Sequence, residues 1–181
     1  MLNILKELRE TQELAEFYTN GETETFEIGI VIALNDDMLA FQSFTKNGYD
    51  DGIVVFPVNS IFRVETNTQY LNKMKKLILD FSITETAKKI DNGDIINSLL
   101  QIALQKREIV SVKLLDNDSI DFTGFVERIE NEECKFKIID EYGFEDGFGY
   151  ANINDITEMS YMCEYDKRIF KLWQFNQQNE K

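Results

Sequence analysis

The sequence predicts a mainly β protein with short helices, organised as two tandem five-stranded small barrels, each with an N-terminal helix and a C-terminal helix. Three observations carry this expectation. Placing residue i over residue i+95 without a gap aligns Gly29 with Gly124, Val31 with Val126, Phe41 with Phe136, Gly48 with Gly143, Asn59 with Asn154 and Tyr70 with Tyr165. Short alternating runs separated by turn residues recur in both halves, as strands and hairpins do. The chain is 43% hydrophobic, with 14 Phe and 7 Tyr, which is enough for packed cores. One ungapped register of domain length points to internal duplication instead of a solenoid of short repeats. The expected domains are residues 1–80 and 94–181, joined by a linker at 81–93 that contains Asp91-Asn92-Gly93.

Each half is expected to open on an amphipathic helix. Leu2, Leu5 and Leu8 recur at helical spacing in the first; Ile95, Leu99, Leu100, Ile102 and Ala103 do so in the second, with Asp94 or Asn97 as candidate caps. Strands follow. Val110 to Leu114 alternates, Asp116-Asn117-Asp118 is turn chemistry, and Ile120-Asp121-Phe122 resumes the alternation. Asn35-Asp36-Asp37 and Glu130-Asn131-Glu132 mark the next hairpin. Beyond it Cys134, Phe136 and Ile138 point one way and Lys135 and Lys137 the other. The loops Gly48-Tyr49-Asp50-Asp51-Gly52 and Gly143-Phe144-Glu145-Asp146-Gly147 then precede two short strands broken at Asn59 and Asn154. Gly29 and Gly124 fall in mid-strand, where a glycine weakens pairing; their expected purpose is a sharp bend. Tyr70, Met74, Leu77 and Tyr165, Ile169, Leu172 are spaced to cover one face of a closing helix, which Trp173-Gln174-Phe175 extends in the second half.

Composition excludes several functions. The formal charge is −14, from 19 basic and 33 acidic residues. Acidity is spread over both halves: residues 1–93 hold 9 basic and 15 acidic side chains, and residues 94–181 hold 10 and 18. Phosphate backbones are bound through Lys and Arg, so this field opposes nucleic acid. There is no histidine, which removes the commonest general base and metal ligand and every Ser/His or Cys/His nucleophile. No carboxylate or Lys constellation replaces it, so the chain is expected not to be an enzyme and to use no cofactor. Cys134 and Cys163 lack metal-site spacing. No window approaches the roughly 18 apolar residues of a membrane span, and the start of the chain lacks a secretory pattern. A reducing cytoplasm is the expected compartment.

A helix followed by five bent antiparallel strands resembles the Sm-like fold, the SH3-type barrel of LSm and Hfq-type RNA-binding proteins. The segment that carries the likeness runs from Val110-Ser111-Val112 through Gly124-Phe125-Val126 to Cys134 and Asp140, similar to the first Sm motif with its mid-strand glycine. The resemblance implies RNA binding or RNA regulation, with Asn59 and Asn154 at the positions where Sm-like rings place nucleotide-contacting residues. Asn59-Ser60 and Asn154-Asp155 stand where that family has Arg-Gly or Lys-His. The pattern also resembles uncharacterised single and tandem small proteins of low-GC Gram-positive bacteria.

Both halves keep Gly-aromatic-acid-acid-Gly, so Tyr49, Asp50, Asp51, Phe144, Glu145 and Asp146 are candidate partner-binding residues. A solvated hairpin loop is the plainer reading of the same residues. Neither loop has the twelve-residue ligand spacing of an EF-hand, and no metal site is expected. Tyr49, Phe144, Phe148 and Tyr150 would make a stacking platform for single strands only beside a cationic groove, and their neighbours are acids. Asn59 and Asn154 also read as turn formers. The favoured function is therefore a non-enzymatic, acidic protein that works by protein–protein interaction, in its most specific form an inhibitor or immunity-type protein of a basic partner. RNA binding is the alternative. Sheet edges leave pairing within the chain, homo-oligomer formation, or neither open.

Overall fold

A computed structural model describes residues 1–19, 21–115 and 119–179. The turn expected at Asp116-Asn117-Asp118 lies outside the described residues. The chain divides into two compact units, Met1–Ile95 and Ile96–Lys181.

The first unit begins with helix α1 (Leu2–Thr11), whose Leu5 and Leu8 are buried. Strands β1 (Leu14–Thr19), β2 (Glu27–Leu34), β3 (Met38–Phe44), β4 (Asp50–Pro57) and β5 (Ile61–Thr66) follow, then α2 (Gln69–Leu77). Thr68 caps α2 by accepting from the Leu71 N–H at 3.1 Å, the usual use of a hydroxyl at that position. The sheet is covered on both faces. Leu5 and Leu8 join Ala15, Phe17, Val31, Leu39 and Phe41 on one side, where the Phe17 and Phe41 rings stack at 4.8 Å. Leu14, Ile28, Ile30 and Phe44 meet Leu71, Met74 and Ile78 on the other. β1 is thus apolar on both faces and shows little alternation.

The segment expected as a linker packs within this unit. Gln42 donates from Nε2 to the Ser82 carbonyl at 3.2 Å and accepts from the Thr84 N–H at 2.9 Å. Asn92 Oδ1 accepts from the Leu34 N–H at 3.0 Å and from Arg9 at 3.0 Å.

The second unit contains α3 (Ile95–Lys106), β6 (Ile109–Leu114), β7 (Phe122–Glu130), β8 (Glu133–Ile139), β9 (Glu145–Asn152), β10 (Ile156–Tyr161) and α4 (Glu164–Asn179). Ile109, Phe125, Ile139 and Ile169 form its α4-side core, with Phe170 and Trp173 packed against it. Ile120, expected to resume the strand, is exposed and precedes β7.

The expectation of two closed five-stranded barrels is overturned. Within each unit the five strands make an open antiparallel run, β5-β1-β2-β3-β4 in the first and β10-β6-β7-β8-β9 in the second. A barrel closes only when its terminal strands share a ladder. Here β5 pairs with β1 and β4 with β3, and β4 and β5 are not neighbours. A 3-10 turn, Val58–Ser60, separates them and redirects the chain in place of a hairpin; Ile153–Asp155 does the same between β9 and β10.

The 95-residue offset reappears in the ladders. Leu14 opposes Ile30 and Ile109 opposes Phe125; Gly29 opposes Ser43 and Gly124 opposes Ile138. Bulges fall between Val31 and Ala33 in one unit and between Val126 and Arg128 in the other. The mid-strand glycines serve close approach: a Cβ on Gly124 would lie 1.9 Å from the Lys137 carbonyl oxygen, and one on Gly29 2.5 Å from that of Gln42.

Candidate functional site

In the second unit the expected acidic loop is a tight turn running straight into β9. Asp140 Oδ1 accepts from the Tyr142 N–H at 3.0 Å and the Phe144 N–H at 2.8 Å. The Asp140 N–H donates to the Phe144 carbonyl at 2.9 Å, and Gly143 closes the turn onto the Asp140 carbonyl at 3.0 Å. Asn176 of α4 donates to the Tyr142 carbonyl at 3.1 Å, tying the turn to the helix. Gly143 has φ +84°, and a Cβ there would lie 2.6 Å from the backbone of Leu172 and Trp173. Only glycine satisfies both demands.

Glu145 and Asp146 are the first residues of β9, not loop residues. Opposite Lys137 and Ile139, β9 carries one extra residue, with Gly147 at φ +85°. This is a β-bulge with glycine in the left-handed position. The motif therefore encodes a turn glycine followed by a bulge glycine, and the acids between them are held on a strand.

Beyond the bulge, β9 turns small residues inward and aromatics outward. Gly149 faces the Phe122 ring, which a Cβ would meet at 2.6 Å, while Phe148 is 51% and Tyr150 63% exposed. With Tyr142 at 66% and Phe144 at 49%, four aromatic side chains are exposed on this turn and strand. Lys135 Nζ lies 3.8 Å from the Phe148 ring centroid and 5.9 Å from that of Tyr150. Lys137 Nζ lies 3.4 Å from Glu145 and 3.7 Å from Glu127. β9 pairs with β8 and ends the strand order, so its other edge presents unpaired main-chain groups.

The first unit builds the same turn with Thr45 in the role of Asp140. Its hydroxyl accepts from the Tyr49 N–H at 3.2 Å, and its N–H donates to the Tyr49 carbonyl at 2.9 Å. Tyr49 is exposed, Asp50 exposed and Asp51 half-buried. Here the resemblance stops, because Ile53 and Val55, at the positions of Phe148 and Tyr150, are buried. The six predicted residues thus divide between two turns of one design, which hold Tyr49 and Phe144, and the strand starts that follow, which hold Asp50, Asp51, Glu145 and Asp146; only the second is continued by an exposed aromatic strand. Tyr142 escaped sequence reasoning because turn position, not alternation, exposes it.

Asn59 and Asn154 sit in the two 3-10 turns and are exposed. The Asn154 N–H donates to Asn152 Oδ1 at 2.9 Å, and its side-chain amide donates to Glu132 at 3.3 Å. The Asn154 amide therefore faces a carboxylate, a poor setting for a phosphate backbone. Cys134 is fully buried, which pushes its thiol up to about 12 and leaves no thiolate at neutral pH. Among the described residues no group of three or more His, Cys, Asp or Glu is placed to hold a metal ion, and no helix is long and apolar enough to cross a membrane. No protein-family model, curated protein or solved structure matches the chain.

Proposed function

We propose that the protein is a non-catalytic, acidic binding protein acting by protein–protein interaction, and that the β9 edge of its second unit is the docking face. The observation that carries this reading is the exposure of Tyr142, Phe144, Phe148 and Tyr150 on a turn and an edge strand beside Glu145 and Asp146. Aromatic side chains are enriched at interface centres, an unpaired strand edge can accept a partner strand, and carboxylates beside ring faces favour Lys and Arg. The net charge of −14 steers a basic partner toward the molecule. An inhibitor that covers the working surface of such a partner is the most specific form of this function. The shared turn design and ladder registers support descent of the two units from one duplicated ancestor.

The test begins with capture of the partner from the native host, followed by association kinetics on the purified pair. The double variant Phe148→Ser, Tyr150→Ser should weaken binding by about tenfold or more, as expected for aromatic anchors. Glu145→Gln with Asp146→Asn should slow association and flatten its salt dependence, with less effect on dissociation. If both variants fold by circular dichroism and bind with unchanged kinetics, β9 is not the docking face.

A further inference from the structure

The second unit holds a cavity of about 320 Å³ lined by apolar Leu104, Phe125 and Trp173 and by charged Arg107, Glu127 and Lys137. In the first unit the matching surface is occupied by the chain itself. Ninety-five residues before Phe125, Lys137 and Trp173 stand Ile30, Gln42 and Ile78. Ile30 and Ile78 belong to the cluster against which Ile83 packs, and the Phe81 ring lies 6.2 Å from that of Phe44. Gln42 holds the main chain of the same segment through Ser82 and Thr84. A short stretch without helix or strand thus covers the apolar surface and is clamped by one side chain.

The second unit supplies no such cover from the end of its helix. α2 stops at Leu77 and releases the chain to fold back, whereas α4 continues to Asn179. Lys137 in place of Gln42 can only donate, which selects a carbonyl or carboxylate. It is already placed between Glu127 and Glu145. Arg107 is exposed and lines the cavity, so its guanidinium is open to an incoming carboxylate. The Trp173 indole N–H is buried without a hydrogen-bond partner among the described residues, an unfavourable state that an incoming acceptor relieves.

We propose that this cavity docks a peptide segment of a partner protein, one carrying a large apolar side chain flanked by carboxylates. The apolar side chain packs on Phe125 and Trp173, and a flanking carboxylate meets Arg107. The chain's own covering segment, Leu79-Asp80-Phe81-Ser82-Ile83-Thr84-Glu85-Thr86, has this composition and serves as the probe. The proposal uses none of the exposed aromatic side chains of β9, so the two readings stand or fall separately.

Trp173 is the only tryptophan of the chain, so its fluorescence reports on this cavity. Titrating the full chain with a synthetic peptide of residues 79–86 should give a saturable change in emission. Arg107→Ala, an exposed position, should weaken binding by about fivefold without altering the fold. A peptide with Asp80→Lys and Glu85→Lys should bind more weakly by at least that factor. No saturable change up to about 1 mM, or equal affinity for the lysine peptide, would overturn the proposal. Concentration-dependent dimerisation that the peptide abolishes would assign the cavity to a second copy and also overturn the partner reading.

Discussion

Asp166, at the start of α4, is fully buried and accepts from the Ser111 hydroxyl at 2.6 Å, the Ser160 hydroxyl at 2.9 Å and the Cys163 N–H at 3.0 Å. The first unit places its buried carboxylate differently. Glu16 on β1 accepts from the Thr68 cap hydroxyl and from Tyr18 at 3.1 Å. Ser111 stands 95 residues after Glu16; in each unit a carboxylate and a hydroxyl meet beneath the helix start, with the acid on the strand in the first and on the helix in the second. The N-terminal end of a helix and hydroxyl donors are a setting in which a buried carboxylate is tolerated. Burial nevertheless holds the Asp166 carboxyl above its usual range, against the opposing effect of those hydrogen bonds. The folded state therefore binds this proton more tightly than the unfolded chain. The stability it contributes is complete below the unfolded value, about 3.9, and is lost as pH rises through the folded value. Asp166→Asn keeps an acceptor and removes the charge, so chemical denaturation across that range should show a flatter pH dependence than the parent. Asp166→Ala removes the shared acceptor of Ser111, Ser160 and Cys163 and should destabilise by about 2–4 kcal/mol. An Asn variant with the parental pH profile would show that Asp166 does not carry this linkage.

Between residue and fold, the turn-bulge element of the second unit sets how Glu145 and Asp146 are presented. Its two glycines do different work, and a pair of substitutions separates them. At Gly143 a Cβ meets backbone at 2.6 Å in addition to the left-handed φ, whereas at Gly147 nothing lies within 4 Å. Gly147→Ala should cost about 1–2 kcal/mol from φ alone. Gly143→Ala should cost about 3 kcal/mol or more, because the α4 backbone must also move. Equal denaturation midpoints for the two variants would disprove the close approach. Turn chemistry made the Gly-aromatic-acid-acid-Gly motif readable, because φ preferences are local. The place where the strand begins was not readable, since the bulge opposite Lys137 and Ile139 exists only once β8 is its partner. Ile139 falls in the same alternating set as Lys135 and Lys137 along β8, and it is buried there with Phe125 and Ile169.

At the scale of the whole molecule, 33 acidic against 19 basic residues set the long-range field. Non-specific nucleic-acid affinity comes from phosphate neutralisation and falls steeply with salt. Purified protein should therefore give no mobility shift with generic single-stranded RNA at about micromolar concentration and physiological salt. A sub-micromolar, salt-sensitive complex would instead favour the RNA alternative and redirect attention to Asn59 and Asn154.

The sequence by itself determined what is local or summed over the chain: charge, the absence of histidine, five strands and two flanking helices per half, the turns, and the 95-residue register. Phe144, Glu145 and Asp146 could be placed next to a turn in this way, because a repeated turn motif is a local signal. Tertiary structure alone decided which edges pair and therefore that β4 and β5 do not close a barrel. It also decided that 81–93 packs within the first unit, that Phe148 and Tyr150 are exposed where Ile53 and Val55 are buried, and that Asp166 is enclosed by Ser111 and Ser160. Alternation specifies that a strand has two faces. What covers each face is set by elements distant in sequence.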